Sequence, residues 1–331
     1  MQFPKISIVT PSFNQGKYIE QTIQSVINQN YPNLEYIIID GGSTDQTIDV
    51  IKKYETYLNF WVSEKDDGQT DAINKGFAKC TGEIFNWINS DDYYEPGTFF
   101  KLAELFNNNP SLNVVCGKEW NFDDGDLLTK TLNAGSIIAG NIFETLRIGI
   151  IDQPCTFFRK KSIECFFPLD ISLHYVMDRQ LWWSYLLANG QIEILRVDDV
   201  FTNFRLHPNS KSINEFQYFE QDFDRLKYSL LQQLNAPEIL MQQFSKNFKP
   251  VKPEWVVKIK PQAYILAAFA SVYAEACYVR EDNKTAAQLM KLVKKYRGFW
   301  GMNKKEKKLW MSSCLKPLFL LMHLKKVKNK I

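Results

Sequence analysis

Four times within the first hundred residues, a short apolar run rich in β-branched residues gives way to a stretch with apolar residues at helical spacing. Few folds accept that alternation. Residues 6–10 stop at Pro11 and read as a buried strand; Ile19, Ile23, Val26 and Ile27 then follow at helical spacing. A second strand, 34–39, ends in Asp40-Gly41-Gly42-Ser43-Thr44-Asp45, where Ser43 or Thr44 can cap the helix carrying Ile48, Ile51 and Tyr54. Strands at 58–62 and 84–88 flank a helix at 72–79. Alternation at this spacing predicts βαβ units on a parallel sheet. Their crossovers are right-handed almost without exception, which gathers the strand ends along one edge. Asp40, Asp66 and Asp91 all end or follow strands, so one crevice can hold all three. Singly, each would read as a helix cap or a loop solubiliser.

The sharpest of these ends is Asn86-Trp87-Ile88-Asn89-Ser90-Asp91-Asp92, followed by Pro96-Gly97 and a helical pattern from Thr98. Carboxylates at the carboxyl end of a buried strand sit where ligands bind in open α/β sheets. Two adjacent like charges repel. A divalent cation that also carries a phosphate would relieve that repulsion, since hard cations take oxygen ligands. A strand-end turn with solvated Asp side chains is the plainer alternative.

At 331 residues the chain can bury one large core or two smaller ones, and a net charge of +3 gives no argument for nucleic acid. The six cysteines form no C-x-x-C pair and match no zinc or disulfide framework; Cys80 and Cys116 read as small buried hydrophobes, which suggests a reducing compartment. Residues 1–5 run into the first strand without the apolar region of a signal peptide, and no apolar run approaches the roughly 20 residues of a membrane-spanning helix. The expected location is the cytoplasm.

Taken in order, Ile8-Val9-Thr10-Pro11-Ser12-Phe13-Asn14, Ile39-Asp40-Gly41-Gly42-Ser43-Thr44-Asp45, the stretch from Ser63 to Gly76 and Asn89-Ser90-Asp91-Asp92 resemble the glycosyltransferase family 2 pattern. The resemblance implies a GT-A fold, a Rossmann-like α/β architecture with a mainly parallel sheet flanked by helices. It also implies a nucleotide-diphosphate sugar donor, UDP-linked, and inversion at the anomeric centre. Site roles follow from it. Asp40 would accept the ring N–H of the pyrimidine, with Thr10 and Pro11 beside the base. Asp66 and Asn74 would line the nucleotide crevice. Asn89-Ser90-Asp91 stands on the D-x-D motif, so Asp91 would ligate Mn²⁺ or Mg²⁺, with Asp92 second to it. Asn89 replaces the family's usual Asp; it can hydrogen-bond a ribose hydroxyl but brings no charge.

Asp178 opens a helical stripe with Leu181, Tyr185 and Leu186, where the helix dipole favours an acid. The segment also resembles the family's E/D-D-x-x-L-W motif, which would make Asp178 the general base that deprotonates the acceptor hydroxyl. Met177 replaces the acid common just before it. Phe204 to Ser212 resembles the R-x-H-x-x-S-x-S end. There His207 would complete the metal or diphosphate site, and Arg205 and Lys211 would hold a phosphate or a loop; a structural hydrogen-bonding His is the alternative. The stretch from Ile150 to Arg159 resembles the segment framing the acceptor side. Gln153 and Arg159 are its candidate sugar contacts, or polar residues of a structural strand. Between 114 and 134, Asp124-Gly125 reads as a hairpin turn.

From Glu215 onward strand signals vanish and helices are expected at about 215–234, 236–246, 254–279, 283–296 and 304–325. The expected division is a GT-A domain at 1–214 and a helical appendage at 215–331. The basic amphipathic stretch 303–331 can lie on an anionic membrane surface, beside a lipid-linked acceptor, or dock on the helical bundle. The reading is an inverting transferase acting on a glycan or lipid-linked acceptor in surface polysaccharide assembly. Asn89 and Met177 keep open a nucleotide-sugar-binding subunit without catalysis. A dinucleotide-dependent dehydrogenase would need a G-x-G-x-x-G after the first strand, which is missing.

Overall fold

The computed structural model describes residues 2–123, 126–135, 137–208, 210–211, 215–245 and 247–315. Among them, nine strands form one sheet. Its first half is parallel, as the alternation predicts: β3 (Phe60–Ser63), β2 (Leu34–Asp40), β1 (Ile6–Ser12) and β4 (Ile84–Trp87) lie side by side in that order. The register puts Ser12 beside Asp40 and Asp40 beside Ser63, so the three strands end level. Helices α1 (Ile19–Ile27), α2 (Thr47–Lys53) and α4 (Thr98–Asn108) supply Ile19, Ile23, Ile51 and Phe99 to the core that holds Ile6, Ile8 and Ile38 of the strands. Each fully buried Ile contributes about 1.5–3 kcal/mol of transfer free energy. Helix α3 (Gln69–Lys79) packs on β1 closely enough that a methyl group at Gly76 would stand 2.4 Å from Val9 Cγ1.

The second half of the sheet is mixed. β8 (Thr156–Arg159) runs antiparallel to β4 and to β6 (Val114–Asp123), β6 is parallel to β9 (Ile194–Leu206), and β9 is antiparallel to the two-residue β5 (Tyr93–Tyr94). β7 (Asp126–Asn133) forms the expected hairpin with β6; the turn residues 124 and 125 lie outside the described set. Helix α6 (Met177–Asn189) is buried on both flanks, with Trp182 and Tyr185 edge-on against Phe158 of β8.

The chain divides into two compact units, one comprising residues up to 137, 149–223 and 252–254, the other 138–148, 224–251 and 255 onward. Sequence patterning expects a division at 214/215; helix α7 (Phe216–Gln233) begins just after it and contains the junction of the two units, between Phe223 and Asp224. The second unit is helical, with α5 (Ile142–Ile148), the single turn α8 (Glu238–Met241), α9 (Ala263–Val279), α10 (Asn283–Gly301) and α11 (Lys304–Trp310). The helix expected from 254 starts only at Ala263, after Pro261. An Asn303–Glu306 capping box starts α11, buried Glu306 pairs with Arg297 at 2.9 Å, and Lys305 pairs with Glu275. Residues 316–331, most of the basic tail with the membrane expectation, lie outside the described set. No helix among the described residues is long and apolar enough to cross a membrane.

Candidate active site

A cavity of about 920 Å³ opens at the carboxyl ends of β1, β2 and β4, where an open α/β sheet holds its ligands. Pro11, Ser12, Gly41 and Gly42 line one part of it, Asn89, Ser90 and Asp91 another, and Glu119, Asp152, Gln153 and Asp178 a third. β2 and β6 are four strand spacings apart, ~19 Å at about 4.8 Å each, so the cavity is wide enough for an extended ligand.

The loops at its parallel end are tied to one another. The Thr44 N–H donates to Asn14 Oδ1 at 2.9 Å, the Asn14 N–H to Ser43 Oγ at 2.7 Å, and the Gln15 N–H to Thr47 Oγ1 at 2.8 Å. Asp40 is the anchor. Its carboxylate accepts from the Gly42 and Ser43 N–H groups and from the hydroxyls of Ser43 and Ser63. Asp66 lies against Gly41, where a Cβ would come within 2.8 Å of its Oδ2. Burial raises the Asp66 carboxyl above its ordinary range, although the Gly68 N–H holds it back.

At the end of β4, Asp91 Oδ2 and His207 Nε2 stand 3.1 Å apart. That separation suits two neighbouring ligands of one divalent cation, each about 2.1 Å from it. His207 is 2% exposed, its ring lies 4.7 Å from that of Tyr18, and its Nδ1 is buried without a hydrogen-bond partner. No cluster of three or more His, Cys, Asp or Glu able to hold a metal occurs among the described residues. Arg205 buttresses the turn from below. Its N–H donates to Asp92 Oδ1 and its Nε to the Asp91 carbonyl, both at 2.9 Å, and its guanidinium rests over Tyr18 and Phe122. Asp92 points inward, 1% exposed, and burial together with the Asp91 charge pushes its carboxyl well above the usual range. Asn89 accepts from Gln69 Nε2 at 2.7 Å. Lys211 lies over the Tyr175 ring, 3.5 Å from Gln69 Oε1, and burial lowers its ammonium pKa.

The third part of the cavity is acidic. Asp178 is half-buried in the first turn of α6, and its Oδ1 accepts the Arg179 N–H at 2.7 Å. Burial raises its carboxyl; the Arg179 charge and N–H oppose the rise. Asp152 is pushed up to about 6 by burial and by the Asp178 charge, and Glu119 to about 8 by burial and by the Asp152 charge. Neither Asp152 Oδ2 nor Glu119 Oε2 has a hydrogen-bond partner.

Residues 7–167 match the model of Glycosyl transferase family 2. An uncharacterized glycosyltransferase of Rickettsia prowazekii (strain Madrid E) is 30% identical over 252 residues, 72% of this chain and 75% of the relative. The chain belongs to glycosyltransferase family 2. Chondroitin synthase of Escherichia coli is 32% identical to this family 2 chain over 135 residues, 39% of the chain but 19% of the synthase. The chain spans about half the length of other curated relatives, 54% in one case. In fold it is similar to S. aureus TarS 1–349, solved with UDP-GlcNAc, with a TM-score of 0.54 at 17% identity, covering 93% of this chain and 90% of that one.

Among the residues expected at the site of this family 2 member, Pro11, Asp66, Asn89, Ser90, Asp91, Gln153 and Asp178 line one cavity. His207 reaches it through Asp91. Others are engaged elsewhere. Thr10 is fully buried and bonds the Tyr36 hydroxyl at 3.1 Å. Asn74 spends both amide atoms on the Leu169 backbone, at 2.8 Å each. Gln153, although it lines the cavity, donates to Asn86 Oδ1 and the Trp87 carbonyl and so braces the end of β4. Arg159 is at the wrong end of the sheet for the acceptor. β8 is antiparallel to β4, so Arg159 lies beside Ile84, where it binds Glu83 and the carbonyls of Leu112 and Phe106. The sequence reading does not single out Glu119 and Asp152; an acid after Ile150-Ile151 is the signal for Asp152, and Glu119, beside Lys118 and Asn121, carries none.

Proposed function

We propose that the chain transfers a sugar, with inversion, from a UDP-linked donor to a hydroxyl of a glycan or lipid-linked acceptor in surface polysaccharide assembly. The observation that carries this reading is that Asp91, at the end of β4, and Asp178, at the start of α6, face one cavity. The solved complexes of TarS with UDP and UDP-GlcNAc support uridine, and the likeness to a chondroitin synthase supports the polysaccharide setting.

In this reading the nucleotide lies across Pro11, Gly41 and Asp66, and the diphosphate lies at Asp91 within reach of Lys211. Asp91 and His207 would hold Mn²⁺ or Mg²⁺, which neutralises charge developing on the leaving diphosphate. Asp178 Oδ2 takes the proton of the acceptor hydroxyl as its oxygen bonds to the anomeric carbon. The bond from that carbon to the phosphate oxygen breaks, and its electron pair leaves with the diphosphate. Burial suits Asp178 to this, because a carboxylate with a raised pKa is a better base. Burial lowers the Lys211 ammonium below its ordinary range, and a diphosphate beside it would favour the charged form.

The test is a thermal-shift panel of UDP-, GDP-, CMP- and dTDP-sugars with and without Mn²⁺. A ligand that binds only the folded form raises its melting temperature. The expected outcome is a shift with UDP-sugars that requires Mn²⁺ and vanishes in Asp91→Ala. A folded protein that responds to none of them would overturn the donor reading.

A further inference from the structure

The acidic part of the cavity has a chemistry that the transfer reaction alone does not explain. Glu119 and Asp152 are 4% and 7% exposed, and each keeps a carboxyl oxygen without a partner; Asn121 Oδ1, on the same strand as Glu119, is a third buried acceptor without one. All three residues line the cavity. A buried unpaired acceptor costs about 1–3 kcal/mol, so three on one wall of a cavity favour an occupant that brings donors. The wall is also held in place. β6 pairs Glu119 with Thr202 of β9, and the Cys155 thiol ties the 152–155 turn to the Gly117 carbonyl at 3.4 Å.

Position identifies the ligand, and this step rests on the donor reading above. In an inverting displacement the transferred ring lies between the leaving diphosphate and the base. Gln153, next to Asp152, donates to the Trp87 carbonyl at the end of β4 at 2.8 Å, and Thr202 of β9 pairs with both Glu119 and Tyr94, so the wall adjoins the Asp91 turn; on its other side the Asp178 charge acts on Asp152. The wall therefore stands between the two ends of the reaction. We infer that Glu119, Asn121 and Asp152 form the subsite for the transferred sugar, that they bind it through hydroxyl or amino donors, and that they exclude sugars bearing a carboxylate. The three side chains present acceptors, and Arg196 only partly offsets the charge at Asp152, so a neutral or amino-bearing ring satisfies the wall. A uronic acid would add negative charge beside Asp152, which at about 6 is ionised at pH 7.5, on a wall where burial already disfavours charge.

The experiment compares dissociation constants of UDP, UDP-glucose and UDP-glucuronate by calorimetry on the full chain at pH 7.5 with Mn²⁺. The two sugars differ only in the oxidation of C6. UDP-glucose is expected to bind more tightly than UDP-glucuronate by about tenfold or more, with UDP between them. In Glu119→Gln and Asp152→Asn the UDP affinity should stay within about twofold while the gap between the sugars closes. If UDP binds and UDP-glucuronate binds as well as UDP-glucose, the inference is wrong while the donor reading stands. If UDP itself does not bind, the donor reading fails and takes the inference with it. The wild-type comparison needs no variant to fold.

Discussion

Asp40 and Glu119 are both carboxylates shut away from solvent, 0% and 4% exposed, and their surroundings are opposite. Asp40 sits among four donors and ties the exit of β2 to β3 through Ser63. Glu119 has an oxygen with no donor, and burial moves it to about 8. A buried polar group with every partner supplied by the chain is scaffold; one left without partners on a cavity wall is held for something else. Asp178 belongs with the second kind, since its only described hydrogen bond is to its neighbour's N–H.

The widest break in this contrast is Asp178→Asn. Removing a general base should lower kcat by about 10²–10⁴-fold, with the dissociation constant of the UDP-sugar unchanged. Rate against pH in the parent should show an acid limb above the 3.8 of an ordinary Asp, because burial raises this carboxyl, and the variant should lack it. A variant that instead lost donor affinity at unchanged kcat would move Asp178 to the scaffold side. Next in size is Asp40→Ala, which strips four donors of their acceptor. Even with water entering, a loss of about 3 kcal/mol is expected, seen as a melting temperature lower by roughly 5–10 °C. An Asp40→Ala protein that melts like the parent would remove Asp40 from the scaffold.

The same contrast explains what the sequence disclosed. The parallel half of the sheet was readable because each βαβ unit carries its period locally: Ile6, Ile8 and Val9 announce a strand, and Ile19, Ile23 and Val26 a helix. The mixed half was not. β5 is two residues long, β9 carries Asp198 and Asp199 within it, and β8 finds its partners in β4 and β6, 40–75 residues away by register. Asp91 and Asp178 stood out because they sit in motifs at element ends. Glu119 and Asp152 did not, because a missing partner is a property of three-dimensional surroundings. Arg159 misled for the mirror reason: its chain neighbours resemble an acceptor segment, but strand direction carries it to the far end of β4.

The finest test is Glu119→Gln, read as stability against pH. The Glu119 carboxyl titrates near 4.5 when unfolded and near 8 in the fold. Between those values the folded chain keeps a proton that the unfolded chain has released, so the parent loses stability as pH rises from about 4.5 to about 8. Glutamine keeps the shape and cannot ionise. The variant should match the parent below pH 4.5, gain steadily through the window, and hold its full lead above pH 8. Melting curves would show that lead as a melting temperature that draws away from the parent's as pH rises. A lead that is flat with pH would mean that Glu119 does not carry the shift. If the lead appears as described, the variant that strengthens the fold is the one expected to lose discrimination between UDP-glucose and UDP-glucuronate. Stability given up at a binding wall is the physical mark of a group kept for its ligand.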